Sequence, residues 1–132
     1  LRSQAKHLGI HEQVDFVGAK VGEDLVHLLN AHRILVVPSR WQEPFGIVAL
    51  EGIACGCVVV GSAGGGLKEA IGPCGVTFPN GDGPALAQTL TQLLTHPDSL
   101  THYSKEAVAH LARHHRATVA RAYLQVFEDA IA

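Results

Sequence analysis

Three short runs of branched and aromatic residues, Ile34-Leu35-Val36-Val37, Val58-Val59-Val60 and Val76-Thr77-Phe78, each lead into a loop and then a stretch with helical spacing. Branching at Cβ favours extended backbone. The runs are apolar at nearly every position, so both faces are meant to be buried, as in a parallel sheet covered by helices on each side. The spacing predicts an α/β fold with a Rossmann-like parallel sheet and flanking helices. Strands are expected at residues 14–17, 34–37, 58–61 and 76–78. Helices are expected at 1–8, 23–30 and 45–55, with a short one after Gly64-Gly65-Gly66. Asn80-Gly81-Asp82-Gly83 is a turn, and Asp82 or Gly83 then caps a helix with Pro84 in its first turn. Leu86, Leu90, Leu93 and Leu94 form that helix's apolar stripe. A further helix from Ser99 places Leu100, Tyr103, Ala107 and Leu111 on one face. The last carries Val119, Ala122, Tyr123, Val126 and Phe127.

The chain has 132 residues, a length that suits one domain, and 47% hydrophobic content is enough for a core. A net charge of −2 gives no basic surplus for nucleic acid, and 5% aromatics leaves few platforms for stacking bases. No apolar run approaches the ~20 residues of a membrane-spanning helix. The three cysteines, Cys55, Cys57 and Cys74, are an odd number without zinc-type spacing. They read as small buried residues in a reducing, cytoplasmic setting.

The segment Glu43-Pro44-Phe45-Gly46-Ile47-Val48-Ala49-Leu50-Glu51 sits where a strand gives way to a helix, the place where α/β proteins hold ligands. Pro44 suits a first helical turn, and Gly46 lets a ligand approach the backbone. The N–H groups of Phe45, Gly46, Ile47 and Val48 then converge at the positive end of the helix dipole, which suits a phosphate or diphosphate. Glu43 and Glu51 lie eight positions apart, roughly 12 Å along a helix and close to one face. Two acceptors flanking an anion site match a ligand with hydroxyls at both ends, such as a nucleotide sugar. That separation is too long for a glycosidase acid/base pair, whose carboxylates lie ~5–9.5 Å apart. The bland alternative is a glutamate beside a helix dipole and a solvated helix residue.

This segment resembles the E-x7-E motif of retaining glycosyltransferases of the GT-B fold, family 4 or group 1. Leu8-Gly9-Ile10, Val14-Asp15-Phe16-Val17-Gly18, Val36-Val37-Pro38-Ser39, Ala54-Cys55-Gly56, Gly64-Gly65-Gly66-Leu67-Lys68-Glu69 and Gly75-Val76-Thr77-Phe78 follow the landmarks of that family's C-terminal domain in order. The resemblance covers residues 1–132. It implies a partial nucleotide-sugar-binding domain, the incomplete C-terminal half of a GT-B fold. It also implies sugar transfer from a nucleotide-diphosphate sugar to an acceptor hydroxyl with retention, and no obligatory metal.

By the same resemblance Glu43 touches the donor sugar and is the catalytic-site glutamate. The amides of Phe45 and Gly46 face the sugar, those of Ile47 and Val48 face the diphosphate, and Glu51 binds the ribose. Gly18 and Val21 belong to a loop near the nucleobase. Lys68 departs from the family's usual Pro, and Gly52 stands where Ala is usual. The family's Gly-Arg…Lys-Gly segment and N-terminal domain are not in the sequence, and the chain contains no methionine. The expectation is a fragment, inactive alone, lacking the strands that would join residues 14–17 to residues 34–37. Such a piece should self-associate through an open edge, relocate residues 14–17 or be marginally stable. A non-catalytic nucleotide-sugar-binding module or partner subunit is the alternative.

Other constellations carry less. His110 and His114 have a metal-compatible spacing but no third ligand, and His114-His115-Arg116 reads as a polar stretch between helices. The turn Gly61-Ser62-Ala63-Gly64-Gly65-Gly66 fits neither the dinucleotide fingerprint nor a P-loop nor a nucleophile elbow. It reads as a glycine turn into a helix, at the strands' carboxyl edge.

Overall fold

The computed structural model describes all 132 residues. In chain order the elements are α1 (Arg2–His7), α2 (Gly22–Asn30), β1 (Ile34–Val37), α3 (Ile47–Ala54), β2 (Val58–Ser62) and α4 (Leu67–Ile71). They continue with β3 (Gly75–Phe78), α5 (Gly83–Thr95), α6 (Asp98–Ser104), α7 (Ala107–Arg113) and α8 (Arg116–Ile131). The sheet is parallel in the order β1-β2-β3. Register places Val37 beside Gly61 and Ser62 beside Phe78, so the carboxyl ends of the strands are level.

The central strand shows why its sequence is so apolar. Every residue of β2 is buried. Val59 points into a cluster with Val37, Ala49, Ile53, Leu67 and Ile71, which joins the sheet to α3 and α4. Val58 and Val60 point the other way, to Phe78, Leu93 and Leu100 of β3, α5 and α6. Alternate residues of one strand thus anchor both helical layers. Asp82 starts α5 as expected, its Oδ1 accepting from the Ala85 N–H at 2.9 Å. Gly52 packs directly on the Leu35 side chain, and a methyl group would collide there.

Three expectations are corrected. Residues 14–17 form no strand and pair with nothing in the sheet. They lie against α1, where the Arg2 guanidinium sits 4.7 Å from the Phe16 ring centroid and donates to the Phe16 carbonyl at 3.3 Å. With no neighbouring strand to complete a ladder, the backbone has nothing to pair with and β1 stays at the sheet edge. Helix α3 begins at Ile47, not at residue 45, because Gly46 adopts φ 99° and ψ 54° and interrupts the helical path; Pro44 therefore lies in the preceding bend. The helix expected from Ser99 is two helices. Leu100 and Tyr103 of α6 belong to one sheet face and Ala107 and Leu111 of α7 to the other, so the chain must turn between them. As an exposed apolar surface was expected there, the stripe of the last helix is uncovered: no residue of α8 is buried, and Tyr123 and Phe127 are 63% and 62% exposed.

All three thiols are free. Cys57 and Cys74 are buried and Cys55 is half-buried. The Cys57 thiol donates to the carbonyls of Leu29 (3.3 Å) and His32 (3.4 Å), tying the end of α2 to the start of β2. Burial first, then the neighbouring Cys55, pushes the Cys57 thiol above its ordinary value. For Cys74 burial leads and Glu106 adds to the rise. Both are held as inert thiols.

Candidate functional site

The loops that leave the carboxyl ends of β1 and β2 lie against each other. Ser62, the last residue of β2, is 1% exposed, and its hydroxyl donates to the Ser39 carbonyl at 2.6 Å. The Ser39 hydroxyl donates to Glu43 Oε1 at 2.6 Å. The Glu43 carbonyl accepts from the Gly66 N–H at 2.7 Å. Asn80, beyond β3, donates from Nδ2 to the Arg40 carbonyl at 3.2 Å. Three strand ends thus fix one loop.

The glycine turn has a packing reason. A side chain on Gly65, which also sits at φ 60°, would collide with the backbone of Glu43. On Gly66 it would meet the Pro44 carbonyl, and on Gly64 the Asn80 amide at 2.9 Å. Only a run without side chains lets the two loops touch backbone to backbone. The turn shapes the site by supporting Glu43 from behind.

Beyond Glu43 four successive amides lack an acceptor. The N–H groups of Phe45, Gly46, Ile47 and Val48 find no acceptor in the chain, whereas the Ala49 N–H bonds to the Gly46 carbonyl at 2.9 Å. Ile47 and Val48 contribute the first two N–H groups of α3, and the two residues are 66% and 40% exposed. The start of α3 is therefore open to solvent with the positive end of its dipole unopposed by any acidic residue in the first turn. Phe45 is half-buried, and its ring packs edge-on to His114 at 5.6 Å.

Glu51 lies exposed further along α3. It lines a cleft of about 510 Å³ with Gly22, Glu23, Leu25, Val26 and Leu29 of α2, and with Ala54 and Cys55. Val21 caps α2 at the edge of this cleft, and Gly18 precedes it with φ 71°. Glu43 is not among the cleft's lining residues. The loop at Glu43, the amides of α3 and the cleft at Glu51 follow one another along α3.

His110 lies within α7, whereas His114 and His115 stand between α7 and α8, where the sequence places a polar stretch. His110 is 3% exposed, with Nε2 2.8 Å from the Ala70 carbonyl. Nε2 therefore carries a proton and donates, and the buried Nδ1 has no partner. The two imidazoles meet edge-on at 4.7 Å. Burial first, then His110 and Arg113, lowers the His114 pKa below the ordinary histidine value. No three His, Cys, Asp or Glu side chains come together in the manner of a metal site.

Sequence reasoning passed over Ser39, Ser62 and Asn80. The available signal was position: each stands at or just beyond the carboxyl end of a predicted strand, where an α/β fold gathers its functional loops.

The family model described as "Glycosyl transferases group 1" matches residues 1–110. The D-inositol 3-phosphate glycosyltransferase of Stackebrandtia nassauensis is 35% identical over 99% of the chain, and that of Salinispora arenicola is 41% identical over 72%. The matched regions make up 30% and 21% of those proteins, so the chain spans less than a third of their length. Among solved structures, the sucrose-phosphate synthase of Thermosynechococcus elongatus superposes with a TM-score of 0.81 at 28% identity, covering 98% of this chain and 33% of that one. Anabaena HepE in complex with UDP-glucose superposes with a TM-score of 0.78 at 26% identity, covering 98% and 35%. The parallel sheet with its flanking helices is part of a GT-B glycosyltransferase fold, and the chain belongs to the group 1 glycosyltransferase family.

Proposed function

We propose that this chain is the donor-binding part of a retaining glycosyltransferase, which moves a sugar from a nucleotide-diphosphate sugar to an acceptor hydroxyl. The observation that carries this reading is the pair of unsatisfied amides of Ile47 and Val48 at the start of α3, flanked by Glu43 on one side and Glu51 on the other. The amides and the helix dipole offset the diphosphate charge that grows as the glycosidic bond to the nucleotide breaks. Those of Phe45 and Gly46 face the sugar. Glu51 accepts from the ribose hydroxyls in the α2–α3 cleft, and Gly18 and Val21 border the nucleobase. Glu43 accepts from the sugar hydroxyls and fixes the reacting carbon against the acceptor.

In this reading the diphosphate is held by backbone amides and protein cations, so no metal is required. Transfer needs further protein to bring the acceptor, and the isolated chain is inactive. The uncovered stripe on α8 and the free edge of β1 fit a surface that meets additional polypeptide. Three unpaired thiols fit a reducing compartment, and the cytoplasm is the natural setting.

A thermal-shift screen of the chain against UDP-, GDP- and ADP-sugars, each beside its nucleoside diphosphate, tests the reading. A ligand that binds only the folded state raises stability by RT ln(1 + [L]/Kd). One nucleotide series should raise the melting temperature. No shift with any of them would defeat the proposal.

A further inference from the structure

A chain of two serine hydrogen bonds ends at Glu43. Ser62 is buried at the end of the central strand, the most constrained place in the sheet, and its hydroxyl proton is committed to the Ser39 carbonyl at 2.6 Å. Ser39 is half-buried, and its hydroxyl proton is committed to Glu43 Oε1 at 2.6 Å. A hydroxyl has one proton to donate, so each bond sets the direction of the link that uses it. The Gly66 N–H meanwhile holds the Glu43 carbonyl at 2.7 Å. Glu43 is therefore held at both its main chain and its carboxylate, and Oε2 is left with no partner in the chain. A glutamate side chain free to rotate would have to be ordered each time a ligand bound; one already oriented avoids that loss.

We propose that Ser39 and Ser62 are positioning residues that hold the Glu43 carboxylate ready for the sugar of the donor. Ser62 sets the Ser39 turn from the sheet, and Ser39 turns the carboxylate so that one oxygen faces the ligand. The inference rests on the reading of Glu43 as the sugar-facing glutamate. The relay predicts a selective effect. Loss of the Ser39 hydroxyl weakens recognition of the sugar and leaves recognition of the nucleoside diphosphate alone, because the latter depends on the α3 amides and Glu51.

The experiment is titration calorimetry of the chain with UDP-glucose and with UDP, with the GDP and ADP pairs run alongside. The quantity compared is the ratio of the two dissociation constants within a pair. Ser39→Ala should shift that ratio against the sugar nucleotide by about tenfold, the loss of one charge-assisted hydrogen bond, while UDP affinity stays within about twofold. Ser39→Thr, which restores a hydroxyl, should return the ratio to that of the unmodified chain. Ser62→Ala should shift the ratio in the same direction by a smaller factor. In a Glu43→Ala background, Ser39→Ala should add nothing, since the group it positions is gone.

An altered ratio for Glu43→Ala with an unaltered one for Ser39→Ala would overturn the relay and leave the donor-site reading standing. Equal weakening of sugar nucleotide and nucleoside diphosphate by Ser39→Ala would show a merely structural role and would also overturn it. If the unmodified chain bound no member of the panel, the donor-site reading itself would fall, and the relay with it. Because Ser39 is only half-buried, its alanine variant keeps the test available if Ser62→Ala fails to fold.

Discussion

The buried imidazole of His110 donates from Nε2 to the carbonyl of Ala70 at 2.8 Å, across forty positions of sequence. The acceptor belongs to the last turn of α4, whose end lacks a partner within the helix. The ring also fills the space beside Gly72, where any side chain would strike it. One residue of α7 thus caps the helix that supports the glycine turn. His110→Phe should lower stability by about 1–3 kcal/mol, since it leaves that carbonyl buried without its donor. Urea unfolding followed by circular dichroism would measure it, and an unchanged midpoint would show that the bond contributes nothing.

His114 should make stability depend on pH. Its pKa is lowered in the folded chain, first by burial and then by the neighbouring His110 and Arg113. The neutral ring is the form the fold accepts, and the unfolded state takes up the proton more readily. The sign follows: the contribution is complete above the unfolded histidine value of about 6.5 and is lost as pH falls through the lower folded value. Melting temperature should therefore drop as pH falls from 7 towards 5. His114→Phe keeps an aromatic contact for Phe45 and should flatten that slope; an equally steep profile in the variant would locate the effect elsewhere.

Glu43 and Glu51 should separate when sugar nucleotide and nucleoside diphosphate are compared. Glu51→Ala should weaken both by about 1.5–3 kcal/mol, the worth of hydrogen bonds to a charged group. Glu43→Ala should weaken the sugar nucleotide alone. Calorimetric titration decides, and the reverse pattern would exchange the two roles.

Ile47→Pro removes one N–H from the anion site. That N–H has no acceptor in the chain, and a helix's first position tolerates proline, so little intramolecular bonding is lost. Nucleoside diphosphate affinity should fall at least about tenfold in a variant whose circular dichroism matches the unmodified chain. Full affinity in such a variant would rule out the amide cradle.

Gly65→Ala should be costly out of proportion to its size. The residue sits at φ 60° against the Glu43 backbone, so both backbone strain and a direct collision oppose a methyl group. The expected loss is about 1–3 kcal/mol, accompanied by weaker sugar-nucleotide binding as the Glu43 loop is pushed away. A variant with an unchanged melting temperature would contradict the close approach of the two loops.

Much of this chain follows from sequence alone. The runs at 34–37, 58–61 and 76–78 are apolar on both sides, and a strand so composed can only be stable between two layers of helices. Asp82 followed by Gly83 and Pro84 announces a helix start because capping chemistry is local. Glu43, Gly46 and Glu51 could be singled out because their spacing alone links a loop to a helix.

What the sequence could not decide depended on distant neighbours. Residues 14–17 have strand composition but no strand to pair with, and a ladder needs a partner that composition does not supply. The helix from Ser99 has unbroken helical spacing, yet it divides because its two halves serve opposite faces of the sheet. Gly64-Gly65-Gly66 reads locally as a flexible turn and becomes a close seat for Glu43 only when β1 and β2 bring the loops together. The bonds from Ser62 to Ser39, from Asn80 to Arg40 and from His110 to Ala70 join residues 23, 40 and 40 positions apart. A hydrogen bond acts over about 3 Å, so such pairs are set by how the strands and helices pack and not by any pattern along the chain.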